Sequence, residues 1–311
     1  MTEDKYPSRV DGAAAILHRA DPVIHGGGPV ACEVLTPKAL QNYEQRGYLF
    51  LESFYRSDEV EVMQEELTRL RNAESVRQSE LAVTEPASGE VRSIFATHTV
   101  SDVFAALSRD ERLLGIVRHL LGGDVYLHQS RLNLKPGFRG KEFYWHSDFE
   151  TWHTEDGMPA MRAVSCSIAL KDNLEYNGPL MVIPGSHKYY CQCTGRTPEY
   201  HYQQSLKKQD FGVPSDEQLQ WLVDQSEIVV PKGPAGSVLL FECNLMHGSN
   251  SNITPSARSN AFFVFNSTEN TLRKPFASEH ERPWYLANRE PEPLAAMDFR
   301  GTMAATVAQS A

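Results

Sequence analysis

His146 and Asp148 sit two residues apart in the run from Phe143 to Ser167, FYWHSDFETWHTEDGMPAMRAVSCS, and His247 lies in a second, distant apolar segment. Two side chains at i and i+2 of an extended segment leave the same face, so one strand can offer an imidazole and a carboxylate to one ion while a far strand closes a third position. Two histidines and one carboxylate on one face of an octahedron leave three positions open, a donor set suited to non-haem Fe(II) and oxygen. A surface aspartate and a chance His-x-Asp pair are the plainer readings, and the setting weighs against both. His247 follows Ser237-Val-Leu-Leu-Phe241, a buried-strand pattern, and Gly248-Ser249-Asn250 marks a tight turn behind it. Then come Arg258, Asn260 and the aromatic run Ala261 to Phe265. An arginine there can fork onto a carboxylate through two parallel charge-assisted hydrogen bonds.

The elements that must carry these groups are legible as helices first and strands afterwards. Thr36-Pro37 reads as a helix cap with proline at the first helical position, and Gly47 as its stop. Ser57 is placed to cap a second helix with Val60, Met63, Leu67 and Leu70 on one face. A third, Glu111 to Leu121, ends at Gly122-Gly123. From Val125 to Lys135 the period is two, with Gln129, Arg131, Asn133 and Lys135 on one parity. Such a polar face is either solvated or the lining of a cavity. Further strands are expected at Ala163 to Leu170, Leu180 to Ile183, Glu227 to Val230, Ser237 to Phe241 and Ala261 to Asn266. This pattern predicts a mainly β protein with flanking helices, a jelly-roll or cupin-like double-stranded β-helix forming a barrel. One domain over 35–311 is expected, after a flexible segment over 1–34 with Gly26-Gly27-Gly28-Pro29 near its end. It would carry a helical insertion around 188–225 and an irregular tail over 269–311 anchored by Trp284 and Tyr285.

Composition narrows the partners. With 311 residues, 41% of them hydrophobic, the chain has the make-up of a globular protein with a large core. A net charge of -10 argues against nucleic acid, since such binders carry a basic stripe, and suggests a small-molecule substrate. Five scattered cysteines fit reduced thiols in the cytoplasm, and Cys191-x-Cys193 lacks the second pair of a zinc knuckle. No apolar run is long enough for a membrane span, and no apolar core of a signal peptide follows the N-terminus. Glu150 and the Glu155-Asp156 pair read as a solvated acidic loop, and His128, His153, His187 and His201 as structural or exposed.

On these residues the chain resembles the phytanoyl-CoA hydroxylase-like family of Fe(II)- and 2-oxoglutarate-dependent dioxygenases. FYWHSDFETWHTEDGMPAMRA is closely similar to the signature of its ectoine hydroxylases. The resemblance implies a jelly-roll barrel, a homodimer, and conversion of ectoine to 5-hydroxyectoine with O2 as cosubstrate. It implies His146, Asp148 and His247 as iron ligands, and Arg258, Lys135, Asn133, Ser249 and Asn260 around 2-oxoglutarate. Many relatives have serine where this chain has Asn260. Gln129, Arg131, Thr151 and Trp152 fall on the substrate side. Halogenating relatives lack the carboxylate, so Asp148 favours hydroxylation.

Physical chemistry leads the same way. A keto acid chelating iron leaves its far carboxylate in need of a buried cation, which Arg258 or Lys135 could supply. Ectoine joins a cyclic amidinium to a carboxylate; Trp152 offers the cation an aromatic face, Arg131 suits the carboxylate, and Gln129 suits either end. Phe241, Phe263 and Phe265 are candidates for an apolar wall, with core packing as the alternative. Two rivals remain open at this stage: a hydroxylase of another small zwitterion such as proline, and a non-catalytic, cupin-like metal-binding sensor.

Overall fold

A computed structural model describes residues 4–26, 34–84, 89–205 and 211–302. Its strands are β1 (Ile16–His18), β2 (Tyr48–Leu51), β3 (Ala82–Thr84), β4 (Val91–Phe95), β5 (Val125–Lys135), β6 (Phe143–His146), β7 (Ala163–Ala169), β8 (Leu180–Val182), β9 (Tyr189–Cys191), β10 (Val238–Glu242), β11 (His247–Ser249) and β12 (Arg258–Ser267). A seven-stranded sheet runs β2-β10-β7-β12-β5-β4-β3, a three-stranded sheet runs β6-β11-β8, and β1 pairs with β9. From β5 to β8, and again from β10 to β12, the chain passes alternately between the large and small sheets, which is the jelly-roll path. The sheets face each other as open layers rather than closing into a barrel. Leu180, Val182, Leu239, Phe241, Leu245 and Phe262 fill the space between them. The outer face of the large sheet packs on helices, where Val60, Met63, Leu113 and Val117 meet Val164, Ile168, Leu240, Phe263 and Phe265 in one core.

Local chemistry accounts for the helix ends. Thr36 Oγ1 accepts the Ala39 amide at 3.2 Å, and Gly47 closes the helix Pro37–Arg46 at φ +79°, which glycine adopts without strain. In the helix Ser57–Asn72 the expected cap is displaced by one residue. Ser57 is its first residue, Arg56 is the cap, and Glu59 reaches back to the Arg56 amide at 2.9 Å. Glu111–Leu121 is helical as expected and is capped by Asp110.

Other expectations are revised. Glu227 to Val230 forms no strand of its own; Val229 makes a single bridge to Val182. The stretch from residue 188 begins with β9, and its helices are Tyr202–Ser205 and Asp216–Asp224. Residues 4–26 pack against the rest of the chain: Tyr6 is fully buried and β1 pairs with β9. Residues 27–33, with most of the glycine run and Cys32, lie outside the described residues. The tail runs beside β5, where the Asn288 amide donates to His128 O at 3.0 Å and the Leu294 amide to Val125 O at 2.9 Å. Tyr285 is buried there, whereas Trp284 is 55% exposed and packs edge-on against Tyr285.

Candidate active site

β6 ends at His146, Ser147 stays extended (φ -103°, ψ 129°), and Asp148 opens the short helix Asp148–Thr151. The two side chains keep their i, i+2 relation although Asp148 lies just past the strand, because the backbone turns only after Ser147. His247 opens β11 and faces His146 directly across the ladder, so the two rings leave the same face, with centroids 4.2 Å apart. His146 Nδ1 lies 2.8 Å from Tyr144 O, and His247 Nδ1 lies 2.9 Å from Leu245 O. A ring nitrogen against a carbonyl must carry the proton, which leaves both Nε2 lone pairs free. Those atoms lie 3.7 and 3.9 Å from the two oxygens of Asp148. These spacings are too long for hydrogen bonds but suit donors around a common centre, and the three ligand atoms lie within 4.8 Å of one another.

Burial, then the neighbouring His247, pushes His146 down to about 3, so it presents a neutral ring. Burial works against the Asp148 anion, yet His247, His146 and Arg131 together hold its carboxyl below the usual value. Ser165 of β7 donates to Asp148 Oδ2 at 3.0 Å. Phe143 lies edge-on to His146, and Phe241 edge-on to His247, each at 4.9 Å. The donor set, its protonation and its spacing fit a divalent transition metal.

Beside the triad is a cationic pocket. Arg258 and Lys135 are partners across β12 and β5, only 5% and 8% exposed. Among the described residues neither forms a salt bridge, and Arg258 Nε and Nη1 have no hydrogen-bond partner. Lys135 Nζ donates to Ser249 Oγ at 2.9 Å and to Asn250 O. Burial, then Arg131, pushes Arg258 down to about 10; burial, then Arg258 and Arg92, pushes Lys135 down to about 6. A buried amine beside a buried guanidinium is costly to charge until an anion joins them. One cavity is lined by Arg131, Asn133, Lys135, Phe143, Ser249 and Arg258. Asn133 accepts from Ser93 Oγ at 3.0 Å. Asn260 pairs with Asn133 across the ladder and donates to Ser167 Oγ at 2.8 Å, leaving its own oxygen unbonded.

The remaining expected residues divide. Arg131 stacks its guanidinium 4.9 Å above the Phe262 ring. Gln129 adjoins a bulge at His128, where β5 has one residue more than β12, and its amide donates to Leu286 O at 2.8 Å. Thr151 is half-buried in the turn opened by Asp148. Trp152 is buried with Phe149, Met158 and Val264, its ring edge-on to His128 at 5.4 Å, rather than standing in a polar stretch. Phe241 abuts the triad, but Phe263 and Phe265 do not. Both belong to the helix-facing core, on the opposite side of β12 from Arg258 and Asn260. Phe262, unnoticed in the sequence, occupies the inner side instead. Its parity with Arg258 was the available signal.

The acidic run is likewise not solvated. Glu150, Glu155 and Asp156 are all nearly fully buried and paired, Glu150 with Arg9, Glu155 with Arg9 and His201, and Asp156 with Arg282. Arg282 comes from the tail, and no local pattern announces it.

Fold and donor set together define the class: a jelly roll whose sheets bring together two imidazoles and a carboxylate beside a cavity lined by buried basic side chains. The chain belongs to the phytanoyl-CoA dioxygenase (PhyH) family, whose model matches residues 43–260. It is 51% identical to the ectoine dioxygenase of Bordetella parapertussis over 288 residues, 93% of either chain. A crystal structure of EctD from S. alaskensis with 2-oxoglutarate and 5-hydroxyectoine is similar at a TM-score of 0.86 and 47% identity, covering 95% of this chain and 98% of that one. The same protein with bound Fe gives 0.85 over the same shares, again at 47% identity.

Proposed function

We propose that this chain is an Fe(II)- and 2-oxoglutarate-dependent dioxygenase that hydroxylates ectoine to 5-hydroxyectoine, releasing succinate and carbon dioxide. One observation carries the reading: three donors converge without bonding one another, next to a buried guanidinium, Arg258, whose Nε and Nη1 have no partner among the described residues. Relatives about half identical over nearly the whole chain are ectoine dioxygenases, which supports the substrate.

In this reading His146, Asp148 and His247 hold the iron. When bound, the iron couples oxidative decarboxylation of the keto acid to insertion of one oxygen atom into a substrate C–H bond. Arg258 receives the far carboxylate of 2-oxoglutarate, with Lys135, Ser249, Asn133 and Asn260 lining its path. Phe143 and Phe241 keep water from the imidazoles. Arg131, Gln129, Thr151 and Trp152 serve ectoine, Arg131 as a cation for its carboxylate and Trp152 as an aromatic face for the amidinium. The protein's part is largely to bind and orient. We further infer a single-domain subunit acting as a homodimer in the cytoplasm. The four described cysteines, all free and buried, are compatible with a reducing compartment.

The test is incubation of purified protein with Fe(II), 2-oxoglutarate and either ectoine or L-proline. Succinate should form together with a one-oxygen mass gain on ectoine. Preferential gain on proline would shift the substrate, and iron binding without succinate from any small solute would mark a sensor. Sedimentation velocity tests the dimer.

A further inference from the structure

We infer that the N-terminal segment, residues 4–26, is a working part of the active site, in which Arg9 and Arg19 hold the two metal-bearing stretches in register. The inference rests on the iron-site reading above, and it concerns a segment lying outside the 43–260 span of the family model.

Arg9 is buried against the helical turn Asp148–Thr151. Its Nε and Nη2 donate to the two oxygens of Glu150 at 2.7 and 3.0 Å, and Nη2 also donates to Glu155 at 3.0 Å. The side chains of Arg9 and Glu150 are 1% and 2% exposed. Glu150 belongs to the helical turn that Asp148 opens, and Trp152 follows that turn directly. Ser8 Oγ adds a bond to Glu150 at 2.7 Å, and the Tyr6 ring packs edge-on against Phe149 at 5.3 Å. The Arg9 backbone is left-handed, at φ +57°, a conformation that a non-glycine residue keeps only where its surroundings impose it.

Arg19 works on the other side. It bridges to Glu242 at 2.8 Å, with both side chains under a twentieth exposed. Glu242 accepts the Asn244 amide at 2.7 Å, and Asn244 Oδ1 accepts Ser147 Oγ at 2.8 Å. Ser147 stands between His146 and Asp148, while Asn244 lies in the turn leading to His247. That bond ties the two metal-bearing stretches to each other, and Arg19 fixes the carboxylate behind it.

Holding the N-terminus in place would not need these groups, because buried ion pairs add little net stability over apolar packing. A forked arginine adds a fixed geometry. Groups hydrogen-bonded directly to metal ligands change metal affinity on the order of 10- to 100-fold; Arg9, acting through Glu150, and Arg19, acting through Glu242, Asn244 and Ser147, stand further back and should change it less.

The test measures Fe(II) dissociation constants on the full chain by equilibrium dialysis under argon, beside thermal unfolding of the metal-free protein. Arg9→Gln and Arg19→Gln should each weaken Fe(II) by about threefold to tenfold, less than the loss of a group bonded to a ligand, with partial recovery in Arg9→Lys. A purely structural strap would lower the melting temperature and leave the Fe(II) constant of the folded variant unmoved. A weakening of about threefold or more supports the inference and a smaller one overturns it. If either arginine variant fails to unfold cooperatively, Ser8→Ala and Ser147→Ala decide on the same threshold. His146→Ala runs alongside. Failure of the unmodified chain to bind Fe(II), or undiminished binding by His146→Ala, would remove the iron-site reading itself and not merely this addition.

Discussion

At the scale of single residues, protonation decides what the site can hold. Two carbonyls hold the imidazole protons on Nδ1, and the low value of His146 keeps that ring an electron-pair donor. His146→Ala or Asp148→Ala should therefore abolish both Fe(II) retention and turnover, and full activity in either variant would remove the metal assignment. Arg258→Ala should raise the 2-oxoglutarate dissociation constant by about thirtyfold, near 2 kcal/mol, with iron still bound. An unchanged constant would move that role to Lys135. The lysine also carries a pH signature. Burial, then Arg258 and Arg92, holds its amine down at about 6 against an opposing pull from Glu142. Between there and the ordinary value of 10.5 the unfolded chain binds the extra proton, so stability of the ligand-free protein rises with pH across that window. A dicarboxylate bound beside the amine favours the ammonium form. Binding should thus take up a proton and weaken as pH rises above about 6. Calorimetry in buffers of different ionisation enthalpy reads that uptake directly; none at about pH 7.5 would show that the amine does not meet the anion.

At the scale of elements, alternation decides which side chains see the cavity, and one register fixes all of them. If Arg258 faces inward along β12, then Asn260 and Phe262 do too, and Phe263 with Phe265 must face the helices. Hydrophobicity alone makes the aromatic run look like a substrate wall; counting by two from Arg258 turns Phe263 and Phe265 to the helices. Phe263→Ala should destabilise the protein by about 3–5 kcal/mol in urea unfolding while leaving the KM for ectoine near its original value. A selective rise in KM with little loss of stability would return Phe263 to the pocket. The helix ends and the polar face of β5 were legible because their causes are local: Thr36, Gly47, Gly122 and the alternation from Gln129 to Lys135. His-x-Asp alone is common; His146, Asp148 and His247 were legible through the strand and turn pattern around His247 and the resemblance of FYWHSDFETWHTEDGMPAMRA to a family signature. Glu227 to Val230 looked like a strand because composition carries no information about whether a ladder partner is available.

At the scale of the whole molecule, the least legible feature is what the two ends do. Arg9 meets Glu150 and Arg282 meets Asp156 across more than a hundred residues each, so no window of sequence contains both partners. Read singly, the acidic residues look solvated and the ends look loose; burial appears only once the pairs are assembled. Both ends also bond to the rest of the chain through the backbone: the Val10 amide to Cys193 O at 3.0 Å and Arg19 to Lys188 O at 2.9 Å, on either side of β9, and Leu294 to Val125 O of β5 at 2.9 Å. A body closed from both termini should open as one cooperative unit, with those amides breaking only when the core breaks. Hydrogen exchange on the full chain checks this. The amides of Val10, Arg19, Asn288 and Leu294 should approach the protection of Ala261 and Phe263 in β12, and Fe(II) with 2-oxoglutarate should raise all of them together, by about 2.7 kcal/mol at a hundredfold excess over the dissociation constant. Exchange at Val10 and Arg19 several orders of magnitude faster than in β12 would mean that the N-terminal segment opens by itself, and the molecule would then be a core with a detachable strap rather than a single folding unit.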